Sequence, residues 1–211
     1  LVSFDGMALW RPPHVEPSWL TNRGGSWLHI DQHPIARPGF HCVQGLVSLL
    51  PTSPSSGGNI VVPGSHRLFE SIPDLYTERL GRIDPSIDHF RFPADDPALA
   101  ETPPIMCHME AGDMLLWDSR TIHCSSPGDN SDAASELIRA ASLVCMMPKS
   151  RSNEAVLTKR RAAVAGRTST TNWSDRFINA DRFPQVAAID TSRYTLPPVP
   201  KLTPEQQSLV G

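Results

Sequence analysis

The chain has 211 residues, a formal net charge of −3 and a pI of about 6.2, a charge balance that argues against a general nucleic-acid binder. No apolar run approaches the roughly 18 residues of a membrane span, and a hydrophobic content of 39% suits one globular core. The 21 prolines are about twice the usual share of roughly 5%, which excludes a fold built mostly of long helices.

The first half of the chain predicts short strands separated by loops and turns. Residues 1–26 are loop-like, and residues 51–58 (PTSPSSGG) form a turn-rich loop. A helix is predicted over 68–80, where large apolar residues recur near helical spacing. Three apolar segments predict strands, the second of them buried on both faces: residues 27–32, 40–50 and 59–62.

The second half continues this pattern. Residues 84–104 are polar and proline-rich, which predicts a loop or an active-site flap, and residues 125–135 predict a small polar loop. The sequence Ser152-Asn153-Glu154 is typical of a helix start, so a helix is expected over 155–165. The tail from residue 166 is expected to be irregular. Three further segments predict strands, the middle one ending in a turn: residues 105–109, 114–123 and 137–147.

Several short strands with turn signals between them predict a mainly β, closed architecture. A double-stranded β-helix (a cupin-like jelly roll) with a few flanking helices fits best, because such barrels place alternate side chains inside. We expect one domain over residues 1–211, with a barrel core at about 26–148 and a C-terminal helix and proline-rich tail at 149–211. The chain does not start with Met, so the N-terminus is expected to be truncated.

The four cysteines, Cys42, Cys107, Cys124 and Cys145, have no paired spacing such as C-x-x-C. Cys42, Cys124 and Cys145 lie in or beside apolar, strand-like stretches. They are therefore predicted to be buried free thiols in a reducing compartment. This predicts an intracellular, cytoplasmic protein, although an N-terminal targeting signal cannot be assessed from this chain.

The most informative pattern is His29-Ile30-Asp31, followed later by His123 and Arg139. Two histidines and one carboxylate form the ligand set of non-heme Fe(II) oxygenases. Residues two apart in a strand point to the same face, so His29 and Asp31 can reach one metal. An arginine on a nearby strand can hold a carboxylate co-substrate by a two-pronged salt bridge. One His-x-Asp pair arises easily by chance, so its surroundings decide the interpretation.

Those surroundings contain four ordered segments: SWLHIDQHP (26–34), GGNIVVPGSHRLF (57–69), GDMLLWDSRTIHCSSPG (112–128) and IRAASLVCMMP (138–148). Together they resemble the phytanoyl-CoA dioxygenase family of Fe(II)/2-oxoglutarate oxygenases. Two C-terminal stretches, GRTSTTNW (166–173) and LTPEQQSLVG (202–211), also resemble family elements, so the likeness covers most of the chain. The resemblance is to the broad family, and the substrate of the phytanoyl-CoA enzyme itself is not carried over.

The resemblance implies a role for each matched residue. His29, Asp31 and His123 are expected to ligate Fe(II), and Arg139 is expected to bind the distal carboxylate of 2-oxoglutarate. The implied activity is that of a dioxygenase. It uses O2 and 2-oxoglutarate to hydroxylate an unidentified small organic substrate, with release of succinate and CO2.

Two further co-substrate residues follow from the resemblance. Ser125, two residues after the second histidine, matches a position that supports the same distal carboxylate. Gln44 lies on the strand after the first ligands and is expected to touch the co-substrate. The expected partner is a small-molecule substrate, with no nucleic acid and no membrane, and the oligomeric state is unknown.

Other polar residues have competing interpretations. Arg120 is a rival anchor for 2-oxoglutarate, but three residues before His123 it faces the opposite side of a regular strand, and an ion pair with substrate or protein is the better alternative. His66 in Pro-Gly-Ser-His is a rival metal ligand, although a hydrogen bond within the turn is favoured. His33 and His41 either contact substrate or, in the favoured interpretation, lie on the surface.

Two alternative functions stay open. One is a non-catalytic jelly-roll binding module, against which the intact triad and Arg139 argue. The other is a cupin-like metal enzyme that does not use 2-oxoglutarate.

A basic cluster, Lys159–Arg161, can attract an anionic substrate, but a solvated helix face is favoured. Trp27 and Trp117 are interpreted as core or pocket wall.

Overall fold

The computed structural model describes residues 1–12, 14, 27–81, 88–93, 95–128, 137–176, 195 and 198–211. Nine strands run through these residues: β1 (Met7–Trp10), β2 (His29–Ile30), β3 (Val43–Ser48), β4 (Gly57–Val61), β5 (Phe90–Arg91), β6 (Ile105–Cys107), β7 (Met114–Asp118), β8 (His123–Pro127) and β9 (Arg139–Met146). The described α-helices are α1 (Ile72–Leu75), α2 (Thr77–Leu80), α3 (Glu154–Gly166) and α4 (Pro204–Val210). Short 3-10 helices cover Ser65–Ser71, Pro97–Leu99 and Lys149–Arg151.

The strands form two antiparallel sheets of a mainly β, cupin-like jelly roll, as the sequence predicts. One sheet has the order β1-β9-β3-β7 and the other the order β5-β2-β8-β4-β6. The chain divides into two compact units. The larger unit is Ala8–Ala141 and contains all the candidate site residues, and the smaller unit combines Leu1–Met7 with Ser142–Gly211.

The five-stranded sheet of the larger unit has two chemically different faces. Strand pairing sets His29 opposite His123, so both side chains lie on one face, whereas the next residues, Ile30 and Cys124, point to the other. Burying a large apolar side chain contributes roughly 1.5–3 kcal/mol. The second face carries the apolar cluster, which contains Leu28, Ile30, Val62, Phe69, Ile72, Phe90, Phe92, Leu99, Ile122 and Cys124.

The predicted helix over 68–80 is replaced by three shorter pieces. A 3-10 helix at Ser65–Ser71 leads into α1, and α1 and α2 have only four residues each. Pro73 has no N–H to donate within a continuous helix, so an α-helix can begin there but not run through it. Tyr76, at φ −128° and ψ 32°, then leaves helical geometry and separates α1 from α2. Among the apolar residues on which the helix prediction rests, Ile72 is buried but Leu75 is 59% exposed. The apolar spacing therefore predicted neither the buried face nor the helix continuity.

The strand predicted over 40–50 is shorter and less buried than expected. β3 spans only Val43–Ser48, where Gln44 and Leu46 are buried but Val43 and Val47 are half-buried. The side chains of one strand alternate between two faces, and only one face of β3 is fully covered by described residues.

Besides β5, which lies in the predicted loop over 84–104, two elements are absent from the sequence prediction. β1 is a four-residue edge strand that alternates between exposed and half-buried side chains, too short to stand out from a proline-rich neighbourhood. α4 lies in the tail that was expected to be irregular, and that expectation is wrong for it. Thr203 and Gln206 form a capping box ahead of Pro204 in the first turn, a helix-start signal that was present in the sequence. The predicted loop and tail residues 15–26, 129–136 and 177–194 lie outside the described part of the chain.

The cysteine prediction is confirmed for burial. Cys42, Cys124 and Cys145 are buried free thiols, and Cys107 is half-buried. Among the described residues, no helix combines the length and the apolar character that crossing a membrane requires.

In the smaller unit, Arg160 of α3 is fully buried, with 0% exposure. Its Nε donates to the Val210 carbonyl at 2.7 Å and its Nη2 donates to the Val2 carbonyl at 2.6 Å. Its guanidinium carbon lies 4.7 Å from the centre of the Phe4 ring. The favoured interpretation of Lys159–Arg161 as a solvated helix face is therefore wrong for Arg160, which ties α3 to both ends of the chain.

Replacing Arg160 with Met keeps an apolar stem but removes these hydrogen bonds. We expect the free energy of unfolding to fall by roughly 1–3 kcal/mol for each buried carbonyl left without a donor. Urea unfolding at neutral pH measures the change. The exposed neighbour gives the control Lys159→Met, which should leave the midpoint unchanged. Equal midpoints for the two variants would contradict the role of Arg160.

Candidate active site

The structure brings His29, Asp31 and His123 together on one face of the five-stranded sheet. His29 and His123 are directly opposed in the pairing of β2 with β8, and Asp31 follows β2 immediately. The Asp31 carboxylate lies between the imidazoles, with Oδ1 at 3.2 Å from His29 Nε2 and Oδ2 at 3.4 Å from His123 Nε2. One ligand atom from each residue fits within a group no wider than 4.8 Å. Such a group can hold a single metal ion.

The orientation of both imidazole rings is set by backbone carbonyls. His29 Nδ1 donates to the Trp27 carbonyl at 2.9 Å, and His123 Nδ1 donates to the Thr121 carbonyl at 2.9 Å. A neutral imidazole that donates from Nδ1 keeps a lone pair on Nε2. Both Nε2 atoms therefore face Asp31 in the form that binds metal, and the carbonyl contacts are the outer-shell partners that metal-binding histidines commonly have.

Electrostatic coupling within the triad shifts two pKa values in opposite directions. Burial alone would raise the pKa of Asp31, but the hydrogen bonds and charges of His123 and His29 hold it well below its ordinary value. Burial alone would lower the pKa of His29, but the hydrogen bond and charge of Asp31 raise it. The carboxylate is thus ionised at neutral pH, and His29 attracts a proton when no cation competes for its site.

Gln44 and Trp117 support the Asp31 carboxylate from β3 and β7. Gln44 Nε2 donates to Asp31 Oδ2 at 2.8 Å, and Trp117 Nε1 donates to Gln44 Oε1 at 3.1 Å. Gln44 and Trp117 are opposed residues in the β3–β7 pairing. This chain of hydrogen bonds fixes the carboxylate next to the imidazoles. The contact of Gln44 with a co-substrate remains a prediction, while its contact with Asp31 was not foreseen from the sequence.

Arg139 is a buried cation without an anionic partner among the described residues. It is 1% exposed, and its Nε and Nη1 have no hydrogen-bond partner there. Its guanidinium carbon lies 4.8 Å from the centre of the Trp10 ring. Burial lowers the pKa of Arg139 to about 10, so the group is still charged at neutral pH. A buried charge is costly unless it is paired, and the arrangement therefore favours binding an anion here.

A cavity of about 470 Å³ lies beside two indole rings, one in contact with Arg139 and the other with His29. It is lined by Ala8, Trp10, Trp27, Arg91 and Ser125. The Trp10 ring contacts Arg139, whereas the Trp27 ring stacks on His29 with a centroid distance of 4.5 Å and an interplanar angle of 14°. Trp27 Nε1 also donates to the Ser125 carbonyl at 2.9 Å. The predicted pocket-wall role of Trp27 thus agrees with the structure, and Ser125 lies where a molecule in the cavity can reach it.

The structure places the residues that were alternative candidates for binding the metal, the co-substrate or the substrate in other surroundings. Arg120 donates to both carboxylate oxygens of Asp118, at 2.9 and 2.7 Å, and this ion pair accounts for its position. His66 is not part of the candidate metal group found among the described residues. His33 is 2% exposed, with Nδ1 accepting hydrogen bonds from two backbone amides, so the favoured surface placement is wrong for it. His41 is half-buried, with Nε2 3.1 Å from the Pro38 carbonyl.

Three of the lining residues, Ala8, Trp10 and Arg91, were missed by reasoning from the sequence. Trp10 lies in β1, and Arg91 lies in a segment predicted to be a loop or flap. The alternation Phe90-Arg91-Phe92, with two buried rings around an exposed arginine, is the signal that would have indicated a strand there.

A profile of the phytanoyl-CoA dioxygenase (PhyH) family matches residues 18–134, more than half of the chain. The matched range contains all three triad residues and ends before Arg139. The chain belongs to the phytanoyl-CoA dioxygenase family. The triad of His29, Asp31 and His123 is the ligand set of non-heme Fe(II) oxygenases.

Individual proteins of known sequence or structure share this likeness. "Ava biosynthesis cluster protein O" of Aspergillus versicolor is 30% identical over 192 residues, which are 84% of this chain and 56% of that protein. This chain thus spans about half the length of the curated relative. Among solved structures, EvdMO1 is 21% identical over 67% of this chain and 26% of its own, with a TM-score of 0.40. AviO1 from Streptomyces viridochromogenes Tue57 is 20% identical over 68% and 49%, with a TM-score of 0.39.

The contribution of the Gln44–Asp31 hydrogen bond to metal binding can be tested by substitution of Gln44. Gln44→Leu has a similar size but cannot donate to Asp31, so the carboxylate loses its fixed orientation. Loss of an outer-shell partner typically weakens metal binding by about 10–100-fold, and we expect a loss in this range for Fe(II). Anaerobic metal titration of the purified protein measures it. Gln207→Leu, on exposed α4, is the control. A Gln44→Leu affinity within twofold of wild type would contradict the role.

Proposed function

We propose that this protein is an Fe(II)- and 2-oxoglutarate-dependent dioxygenase that hydroxylates a small organic substrate and releases succinate and CO2. The observation that carries the proposal is the pairing of two features in one unit. A group of two imidazoles and one carboxylate can hold a metal ion. A buried guanidinium with no anionic partner among the described residues lies against Trp10, which lines the same cavity as Trp27 beside His29. A metal site alone would not require the buried guanidinium of Arg139.

The residues fit both groups chemically. Imidazole and carboxylate donors suit Fe(II), and three donors from one side leave further coordination positions for other ligands. The guanidinium of Arg139 presents the planar fork that pairs with a carboxylate. An unpaired buried cation is costly, and the distal carboxylate of 2-oxoglutarate would offset that cost. A metal enzyme that does not use a 2-oxo acid leaves this cation unexplained.

His29, Asp31 and His123 would hold the iron, while Arg139 and Ser125 would hold the distal carboxylate of the co-substrate. When bound, the iron would let O2 act as the oxidant, with two electrons taken from 2-oxoglutarate as it becomes succinate and CO2 and two from the substrate C–H bond as it becomes an alcohol. The chain's own residues position these groups. The backbone carbonyls of residues 27 and 121 accept hydrogen bonds from the Nδ1 atoms and so direct both Nε2 atoms at Asp31, and Gln44 keeps Asp31 directed at the same point.

The cavity walls contribute by excluding water. Trp10 and Trp27 place broad apolar surfaces on two sides of the cavity, and a substrate packed between them displaces solvent from the reacting region. The name of the Aspergillus versicolor relative refers to a biosynthesis cluster, which supports a biosynthetic intermediate as the substrate of this protein as well.

Asp31→Ala removes one of three metal ligands and the carboxylate that both imidazoles face. We expect 2-oxoglutarate-dependent succinate formation to fall to background, because two imidazoles alone bind iron weakly. The measurement is succinate release with the metal content of each sample determined in parallel. Succinate release at the wild-type rate by the variant would rule out Asp31 as a ligand.

Arg139→Gln keeps a planar polar group but removes the charge that a carboxylate needs. Truncating one partner of a buried charge pair costs about 2–5 kcal/mol, so we expect the dissociation constant of 2-oxoglutarate to rise by at least 30-fold. Titration under argon, followed by the visible charge-transfer band of the Fe(II) complex, measures it. The exposed Arg67→Gln is the matched control. An unchanged constant in Arg139→Gln would remove Arg139 from the co-substrate site.

A further inference from the structure

We infer that the substrate carries an oxyanion, a carboxylate or a phosphate ester, which Arg91 binds at the open side of the cavity. This inference rests on the proposed function, because it assigns the substrate class of the same site. It concerns a second cation of the cavity, distinct from the buried Arg139.

Strand pairing places Arg91 next to the metal ligands. In the pairing of β5 with β2, Arg91 lies directly opposite His29. Directly opposed residues project from the same face of a sheet, with Cβ atoms about 4.5–5.5 Å apart. The arginine side chain therefore starts on the face that carries His29 and extends along the cavity wall. A substrate group held by its guanidinium lies within a side chain's length of the triad.

Arg91 has no carboxylate within ion-pair distance among the described residues, whereas three other arginines of the larger unit do. Arg120 pairs with Asp118, Arg37 with Asp88, and Arg79 reaches Asp96. Arg91 is exposed and lines the cavity. Its five N–H donors are thus available to a ligand, in the forked geometry that matches carboxylate and phosphate.

The backbone beneath Arg91 is held in place by a neighbour. Arg79 Nη2 donates to the Arg91 carbonyl at 2.6 Å, and the Arg79 guanidinium carbon lies 4.8 Å from the centre of the Phe90 ring. Phe90 itself is fully buried in the apolar cluster. The side chain of Arg91 is exposed, and its backbone is fixed relative to His29 by the pairing of β5 with β2.

Arg91 is the charged residue among the described residues that line the cavity. Its charge contributes, after burial, to lowering the pKa of His89. Asp31 and Asp88 are the acidic groups that act on His89 in return, and each has its own partners in the triad and in Arg37. The guanidinium of Arg91 therefore attracts an anion that approaches this wall of the cavity.

The two cations have separate roles. Arg139 is buried behind the Trp10 ring, whereas Arg91 is open to solvent beside Trp27. The indole surfaces between them suit an apolar body. The site as a whole is thus complementary to a co-substrate anion at its buried end and to a substrate with an apolar body and an oxyanion at its open end.

The test uses the full chain loaded anaerobically with Fe(II) and 2-oxoglutarate. The probes are phenylacetate, phenyl phosphate and the neutral phenylacetamide, and binding is followed by ligand-observed NMR. We expect at least one anion to bind about tenfold more tightly than the amide. Arg91→Gln should raise the dissociation constant of that anion by roughly 10–100-fold, while Arg67→Gln should leave it unchanged. Arg91→Lys should retain part of the affinity, because it keeps the charge but not the fork.

The outcomes separate this inference from the function on which it rests. Preference for phenylacetate, for phenyl phosphate or for both identifies the oxyanion. Equal binding of anions and amide, absence of binding by all three probes, or an Arg91→Gln variant that keeps the anion preference would overturn the inference alone. If Arg91→Gln weakens 2-oxoglutarate by tenfold, Arg91 belongs to the co-substrate site and the inference is also wrong. If wild type fails to bind 2-oxoglutarate with Fe(II), the proposed function fails as well.

Discussion

The pairing of His29 with His123 across β2 and β8 is the constraint on which the rest of the site depends. A shift of this pairing by one residue would move one histidine into the apolar cluster and bring Ile30 or Cys124 to the polar face. The cluster on the opposite face opposes such a shift, because its side chains would be exposed. Hydrophobic burial on one face thus fixes the ligand geometry on the other. No direct bond between the histidines is needed, since their backbones are held by the sheet.

On the polar face of the sheet, a metal ion and a proton compete for the atoms of His29 and Asp31. Without a cation, the raised pKa of His29 and the lowered pKa of Asp31 describe a proton bridge between them. The His29 contribution to stability is present at acidic pH and is lost as pH rises through its raised pKa. The Asp31 contribution is present at neutral pH and is lost as pH falls through its lowered pKa. Metal and protons therefore compete for the same atoms, and acidification weakens metal binding.

The sequence predicted the site better than the elements around it. Asp31 and His29 are recognisable because strand alternation makes His-x-Asp a local geometric unit, and the order of matched segments adds His123. Arg139 stands out because an arginine in an apolar strand needs an anion. The burial of Arg160 was not predicted, because a basic helix residue can either face solvent or donate to backbone carbonyls far away in the sequence. Local sequence does not show that the carbonyls of Val2 and Val210 lie next to Arg160. Arg91 was missed because its role comes from pairing with a strand about sixty residues earlier.

The difference in burial between Arg139 and Arg91 has a physical consequence for specificity. A charge pair in a low-dielectric interior is strong and little affected by salt, but it tolerates only the anion that fills its space, which suits a co-substrate that never changes. An exposed charge is screened and its side chain adapts, so it attracts anions of different shape with modest affinity. Trp10 and Trp27 then discriminate among them by apolar contact. A family that keeps the buried end constant and varies the open end can keep one oxidative chemistry while changing its substrates.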